Sequence, residues 1–366
     1  MYIYQRYGWP DFQWEQDVIL TPLAALRHKQ GKLTGRMTSL GFSLRSEAML
    51  EAMTLELIKS NEIEGERLDQ SQVRSSIARR LGIDTFGLVA VDREVEGLVD
   101  MLLDATQQFE KPLTKDRLGD WHAALFPTGR SGMHKITVGD WRTGDSGPMQ
   151  VVSGPIGYER IHFQAPGADV LDTEMADFLN WFNTHQPLDP VLKAAIAHLW
   201  FVTIHPFDDG NGRIARTIAD MQLARADNSP QRFYSMSAQI RKERKAYYQI
   251  LEKTQRGTLD ITDWLVWFFS CLDRALEDTE SLLSAVLTKA RYWEWLSSKL
   301  ITERQRSMIN KLLDGFDGKL TTSKWAKITK VSQDTALRDI QDLVGQGILV
   351  KDSSGGRSTT YSLPPI

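Results

Sequence analysis

The chain has 366 residues, 42% hydrophobic and 25% charged, with a formal net charge of -3. This is enough material for a large core and for more than one domain, and the charge balance excludes a whole-chain affinity for nucleic acid or membrane. The single cysteine, Cys271, excludes an internal disulfide and fits a reducing compartment.

The start, Met1-Tyr2-Ile3-Tyr4-Gln5-Arg6, has no basic region leading into an apolar run, and no stretch approaches the ~20 apolar residues that cross a bilayer. A soluble cytoplasmic protein is expected. Residues 1 to 20 hold Tyr2, Tyr4, Tyr7, Trp9, Phe12 and Trp14, an aromatic density that predicts a segment pinned onto a core. Leu44, Met49, Leu50, Met53, Leu57 and Ile58 are spaced as on a helix over 44–60 with one buried face, stopped or bent at Gly65. Further helices are expected at 70–81 and 87–108. Residues 123–167 read differently: Gly and Pro recur, and Lys135-Ile136-Thr137-Val138 and Met149-Gln150-Val151-Val152 read as strands. Residues 139–145 between them read as a turn or irregular hairpin. Helices return at 168–183, 189–204 and 212–225, with several more up to 295.

Residues 297–366 change character again. Ser307, Met308, Ile309, Leu312 and Leu313 fit one helix. Thr321 or Thr322 can cap a second holding Trp325 and Ile328. Ser332 can cap a third, with Ala336, Leu337, Ile340 and Leu343 facing inward and Gly345 and Gly347 ending it. Residues 348–350 and 359–363 read as strands around a turn at Gly355-Gly356. Three helices and a hairpin are the layout of a winged helix.

The chemistry is concentrated in His205-Pro206-Phe207-Asp208-Asp209-Gly210-Asn211-Gly212-Arg213-Ile214-Ala215-Arg216. An apolar helix delivers His205 at its end, and Pro206 fixes a turn there. Gly210 and Gly212 let the backbone approach a ligand, and successive N–H groups followed by a helix N-terminus make an anion site. Arg213 and Arg216 lie on one side of the first helical turn, with a fork geometry suited to phosphate. Asp209 can hold Mg²⁺, Asn211 can donate to a phosphate oxygen, and His205 can take a proton from an attacking hydroxyl. His198, two helical turns before His205, faces a similar side.

This run is similar to the Fic family motif His-Pro-Phe-x-[Asp/Glu]-Gly-Asn-Gly-Arg-x-x-Arg at every specified position, and the resemblance extends over roughly 90–250. It implies a mainly α fold: a Fic helical core with a small β-hairpin flap, followed here by a winged-helix domain. The division it implies is 1–85 for an aromatic segment and inhibitory helix, 86–295 for the catalytic domain and 297–366 for the winged helix. The activity implied is transfer of AMP from ATP to a Ser, Thr or Tyr hydroxyl of a protein. His205 is then the general base and Asp209 the Mg²⁺ ligand. Gly210, Asn211, Gly212 and Arg213 hold the nucleotide phosphates, and Phe207 is the buried anchor of the loop. Arg216 binds the γ-phosphate or pairs with an inhibitory glutamate. Ser60-Asn61-Glu62-Ile63-Glu64-Gly65 resembles the family's inhibitory motif, with Ser60, Glu64 and Gly65 at its specified positions.

The segment 136–158, including Trp141-Arg142-Thr143-Gly144, resembles the flap that docks a protein target. A bifunctional or mainly deadenylylating enzyme is one alternative; a DNA-binding regulator that senses ATP is another. Residues 299–366 hold 11 Lys or Arg against 7 Asp or Glu, a small excess for a DNA surface. Gln333 and Arg338 would read bases and Lys351 and Arg357 would contact phosphates, but Asp334, Asp339 and Asp342 would repel them if exposed. A homodimer is the assembly the family resemblance allows.

Overall fold

The computed structural model describes every residue except 39–41, 84–86, 146, 156–157, 317, 353–358 and 366, and the side chains of 42–43 and 280–287 are likewise left undescribed. Two compact units emerge, residues 1–81 with 90–280, and residues 82–89 with 281–366.

The first unit opens with a 3-10 turn, Ile3–Gln5, and continues with α1 (Gln16–Thr38), α2 (Phe42–Glu64), α3 (Gln70–Leu81), α4 (Arg93–Gln107) and α5 (Lys115–Leu125). Two short antiparallel pairs follow: β1 (Arg130–Ser131) with β2 (His134–Lys135), and β3 (Gln150–Ser153) with β4 (Arg160–Gln164). Then come α6 (Leu171–Asn183), α7 (Pro190–Ile204), α8 (Asn211–Asp227), α9 (Met236–Lys242), α10 (Arg244–Gln255) and α11 (Thr262–Leu296), of which the residues up to 280 belong to this unit and the rest to the second. The fold is mainly helical, as expected.

α7 is the axis of this unit. Asp189 caps it by accepting from the Val191 N–H at 2.8 Å, Pro190 opens it, and every residue from Val191 to Ile204 is buried. A helix apolar all round must be covered on all sides. α8 and α6 pack along it, and α2 crosses α8 and α9. The aromatic N-terminus is pinned as expected. Trp9 donates to Glu174 at 2.9 Å and meets Trp200 edge-on, while Tyr2 and Tyr4 pack on Phe163 of β4.

Several expectations change. α1 carries Pro22 inside it, and its buried Ile19, Leu26, Leu33 and Met37 form a stripe too narrow to stand out in the sequence. The helix expected from 87 begins at Arg93. The two runs expected to flank one hairpin over 136–158 do not pair with each other. His134 and Lys135 pair back onto β1, and β3 pairs forward with β4, with a bulge between Val151 and Val152. The Gly and Pro around β4 obscured it.

The second unit holds α12 (Glu303–Leu313), α13 (Thr322–Thr329), α14 (Gln333–Gly345) and an antiparallel pair, β5 (Val350–Lys351) with β6 (Tyr361–Ser362). Thr302, Thr321 and Ser332 each cap a helix by accepting from a backbone N–H three residues on. Trp325, Met308, Ile340 and Leu349 lie in its core. Leu337 departs from expectation, being 38% exposed. Asp339 is buried and paired through both oxygens with Arg304, at 2.6 and 2.8 Å, so its charge is spent inside the unit. Gln333, Arg338 and Lys351 are exposed; Gly355, Gly356 and Arg357 lie outside the described residues.

Candidate active site

His205 ends α7 in the left-handed region, at φ 54°. That conformation is unusual for a residue other than glycine and turns the chain sharply out of the helix. Its Nδ1 lies 3.2 Å from the Val202 carbonyl. A carbonyl only accepts, so the proton sits on Nδ1 and Nε2 keeps its lone pair. Burial pulls the imidazole down to about 4, helped by Arg142 and opposed by the Val202 bond and by Asp209 and Glu64. At neutral pH this side chain is an uncharged base.

The loop after His205 is held from beneath. Phe207 is fully buried and stacks on His122 with centroids 4.2 Å apart and planes 6° apart. His122 accepts from the Gly139 N–H at Nδ1 and lies 3.2 Å from the Asp209 carbonyl at Nε2. It is therefore the opposite tautomer from His205. Burial pulls it, too, down to about 4. The Asn211 side chain, expected as a phosphate donor, also closes the loop. Its Oδ1 accepts from the Phe207 N–H at 2.9 Å, and its Nδ2 donates to the Phe207 carbonyl at 2.8 Å. Its oxygen and one of its two amide hydrogens close the loop, and the second amide hydrogen is left over. The segment 141–144, expected as part of the flap, forms no strand and secures the loop. Trp141 packs on Phe207, and Arg142 donates to the His205 carbonyl at 2.9 Å and to the Pro166 carbonyl at 2.6 Å.

α8 starts at Asn211, so the first N–H groups of that helix lack intrahelical acceptors and present its positive end. The Gly210 N–H is already used by its neighbour Asp209 at 2.6 Å. Asp209 also accepts from the Ser131 hydroxyl. A carboxylate has room for further contacts. Among the described residues no cluster of three or more His, Cys, Asp or Glu forms a ready metal cage. One carboxylate beside an anion site nevertheless fits Mg²⁺ taken up together with phosphates.

Arg213 and Arg216 are 4% and 3% exposed. Each keeps one buried donor without a partner, Nε of Arg213 and Nη1 of Arg216. Their other contacts go to the end of α2. Arg216 meets Glu64 at 2.8 Å and donates to the Ser60 hydroxyl and carbonyl, each at 2.9 Å. Burial works against the Arg216 charge, but Glu64 outweighs it and holds the guanidinium above its ordinary value. The Glu64 carboxylate lies so close over the start of α8 that a Cβ on Gly212 would come within 2.4 Å of Oε1. Arg213 meets Glu66 at 2.6 Å. Nothing in the recognised motif flagged Glu66; the turn at Gly65, read together with the acidic residue directly after it, was the available sign.

Glu64, His205, Asp208, Gly212, Tyr248 and both strands of the β3–β4 hairpin line a cleft of about 750 Å³. His198 is buried beneath it, 2.9 Å from the Tyr247 hydroxyl, and burial lowers it to about 3. Buried histidines kept neutral make stability depend on pH. Unfolded, they bind protons below about 6.5; folded, they resist until about 4 or lower. The unfolded state thus binds more protons in that window, and stability falls as pH drops through it. His122 alone accounts for about 3 kcal/mol across that range. Denaturant midpoints measured from pH 7.5 to 4.5 should fall steadily below about 6.5. A midpoint flat down to pH 5 would refute this.

Residues 112–223 match the Fic/DOC family model, and residues 2–83 match a model described as a domain of unknown function, DUF4172. The chain is similar to the protein adenylyltransferase Fic of Nematostella vectensis, with 27% identity over 237 residues, covering 63% of this chain and 49% of that protein. To the protein of the same name from Culex quinquefasciatus it is 36% identical over 115 residues, covering 31% of this chain and 21% of that one. The chain thus spans about half the length, or less, of these curated relatives. Among solved structures, a Fic family protein from Desulfovibrio desulfuricans G20 aligns with TM-score 0.51 and 20% identity over 95% of this chain and 96% of that one. A Fic domain containing signaling protein from Bacteroides thetaiotaomicron VPI-5482 aligns with TM-score 0.51 and 23% identity over 72% and 97%. The chain carries a Fic/DOC family domain, as the motif at 205–216 implied. Among the described residues no helix is long and apolar enough to cross a membrane.

Proposed function

We propose that this protein is an autoinhibited adenylyltransferase that moves AMP from ATP to a Ser, Thr or Tyr hydroxyl of a protein. The observation that carries this reading is the Glu64 carboxylate, an anion lying over the start of α8 and paired with Arg216. An anion already sits where a polyphosphate would be favoured. In the reaction proposed, the acceptor hydroxyl oxygen attacks the α-phosphorus and its proton passes to Nε2 of His205. The bond from the α-phosphorus to the bridging oxygen breaks, and pyrophosphate leaves. Arg213, Arg216 and the free N–H groups of α8 bind the phosphates. Asp209 would hold Mg²⁺, which neutralises phosphate charge when bound.

Target docking is assigned to the β3–β4 hairpin, in place of 136–158. Both strands line the cleft, among the described residues β3 pairs with β4 alone, and Val152 and Ile161 are exposed. An extended segment could add to such an edge and bring its hydroxyl to the cleft. The brake acts because Glu64 occupies the donor that a γ-phosphate needs.

Incubation with Mg²⁺ and α-labelled ATP should label protein strongly in the Glu64→Gly variant and weakly in the parent, and mass spectrometry should read the added adenylyl group and its residue. Equal labelling of the two proteins would remove the brake. Absence of label from both, with ATP bound, would remove the transferase.

A further inference from the structure

The inhibitory contact has a neighbour. α2 ends in a tight turn in which Gly65 sits at φ 91°, with its N–H bonded to the Glu62 carbonyl at 3.2 Å and the Glu66 N–H bonded to the Asn61 carbonyl at 3.0 Å. This paired pattern around a left-handed glycine is a rigid helix stop, and a side chain would be strained at that angle. It fixes Glu66 in space relative to Glu64. Asn61 strengthens the arrangement: its side chain donates to the Leu57 carbonyl and places Oδ1 3.5 Å from Arg213. Arg213 is fixed too, buried with its guanidinium 5.1 Å from the Phe126 ring centre. Two carboxylates separated by one glycine therefore meet two guanidinium groups one helical turn apart.

We infer that Glu66 sets how tightly the resting site holds nucleotides, weakening nucleoside diphosphates as well as triphosphates by occupying Arg213 while Glu64 occupies Arg216. The inference rests on the nucleotide-site reading above. Glu64 alone covers only the arginine assigned to the γ-phosphate, which ADP lacks. Glu66 covers the arginine assigned to the phosphates nearer the nucleoside, which ADP and ATP share. The Glu66 side chain is 45% exposed, against 30% for Glu64. Its contact is therefore better solvated and weaker than the Glu64 contact, and phosphates compete for it more easily. Because both carboxylates ride on the end of one helix, a displacement of that end frees both arginines together.

Titration calorimetry with Mg²⁺ and ADP, ATP or adenosine, on the parent, Glu64→Gly, Glu66→Gln and double variants, tests this. Gln keeps an acceptor for Arg213 and removes only the charge, so the turn is preserved. Glu66→Gln should tighten ADP about tenfold, the lower range for freeing one charge-assisted hydrogen bond, and leave adenosine unchanged. Glu64→Gly should tighten ATP more than ADP, and the double variant should bind both most tightly. If Glu66→Gln leaves ADP affinity unchanged in both backgrounds while Glu64→Gly still tightens ATP, the inference fails and the nucleotide-site reading stands. If neither nucleotide binds any variant, both fail.

Discussion

In a Glu64→Gly background, replacing His205 by Asn is expected to lower the rate of adenylyl transfer by about 10²–10⁴-fold, the range for losing a positioned general base. Asn is the better probe than Ala. His205 sits at φ 54°, and Asn tolerates that left-handed conformation while Ala is strained in it. The Asn variant therefore tests the imidazole with little damage to the turn that leads into Phe207 and is bonded by Arg142. ATP affinity should remain within a factor of about three, since His205 supplies no phosphate contact in the proposed arrangement and a change of that size is under 1 kcal/mol. The Val202 carbonyl fixes the proton on Nδ1, so a variant that keeps only that hydrogen bond cannot replace Nε2. Single-turnover labelling with α-labelled ATP would measure the loss. Retention of more than about a tenth of the rate, far outside the range for a lost base, would show that His205 does not take the proton.

The phosphate loop was legible in the sequence because its parts are contiguous: base, glycines and arginines follow one another over twelve residues of one chain segment. The helical core was legible wherever burial imposes a period, as in α2 and α6, or leaves no polar face, as in α7. The supports of the loop were hidden for the complementary reason. His122, Arg142 and Ser131 reach it from 63 to 87 residues away in sequence, two of them through backbone carbonyls and Ser131 through the Asp209 carboxylate, in single contacts that leave no pattern. Asn211 shows a different limit. Its type suits a phosphate donor, but a side-chain amide placed four residues after Phe207 can also close on that backbone, and it does so with both of its groups. β4 escaped because five residues bounded by Gly and Pro read as loop until β3 lies beside them. Glu66 escaped because an acidic residue after a helix stop is ordinary until its partner, 147 positions on, is known.

Arg142 is the support whose loss should affect the chemistry most. Its backbone N–H bonds the Pro206 carbonyl at 2.8 Å, and its guanidinium joins the His205 and Pro166 carbonyls. It is buried, so substitution by Met leaves two carbonyls without their donor, each costing ~1–3 kcal/mol. The left-handed turn at His205 then loses the side-chain contact that holds it and keeps the backbone bond to Pro206. In the Glu64→Gly background, Arg142→Met should lower kcat about 10²-fold, as misplacement of a reacting group by roughly 1 Å does, with little change in KM for ATP. A second readout separates positioning of the base from general loosening of the fold. The Arg142 charge helps depress His205. Removing it raises the pH at which the imidazole protonates, so the acid limb of the pH–rate profile should move to higher pH. Arg142→Lys keeps a charge but lacks the fork that reaches two carbonyls, so its acid limb should stay nearer that of the parent while kcat still falls. If Arg142→Met lowers the melting temperature but leaves both kcat and the acid limb unchanged at temperatures where the protein is folded, Arg142 supports the fold and does not position the base.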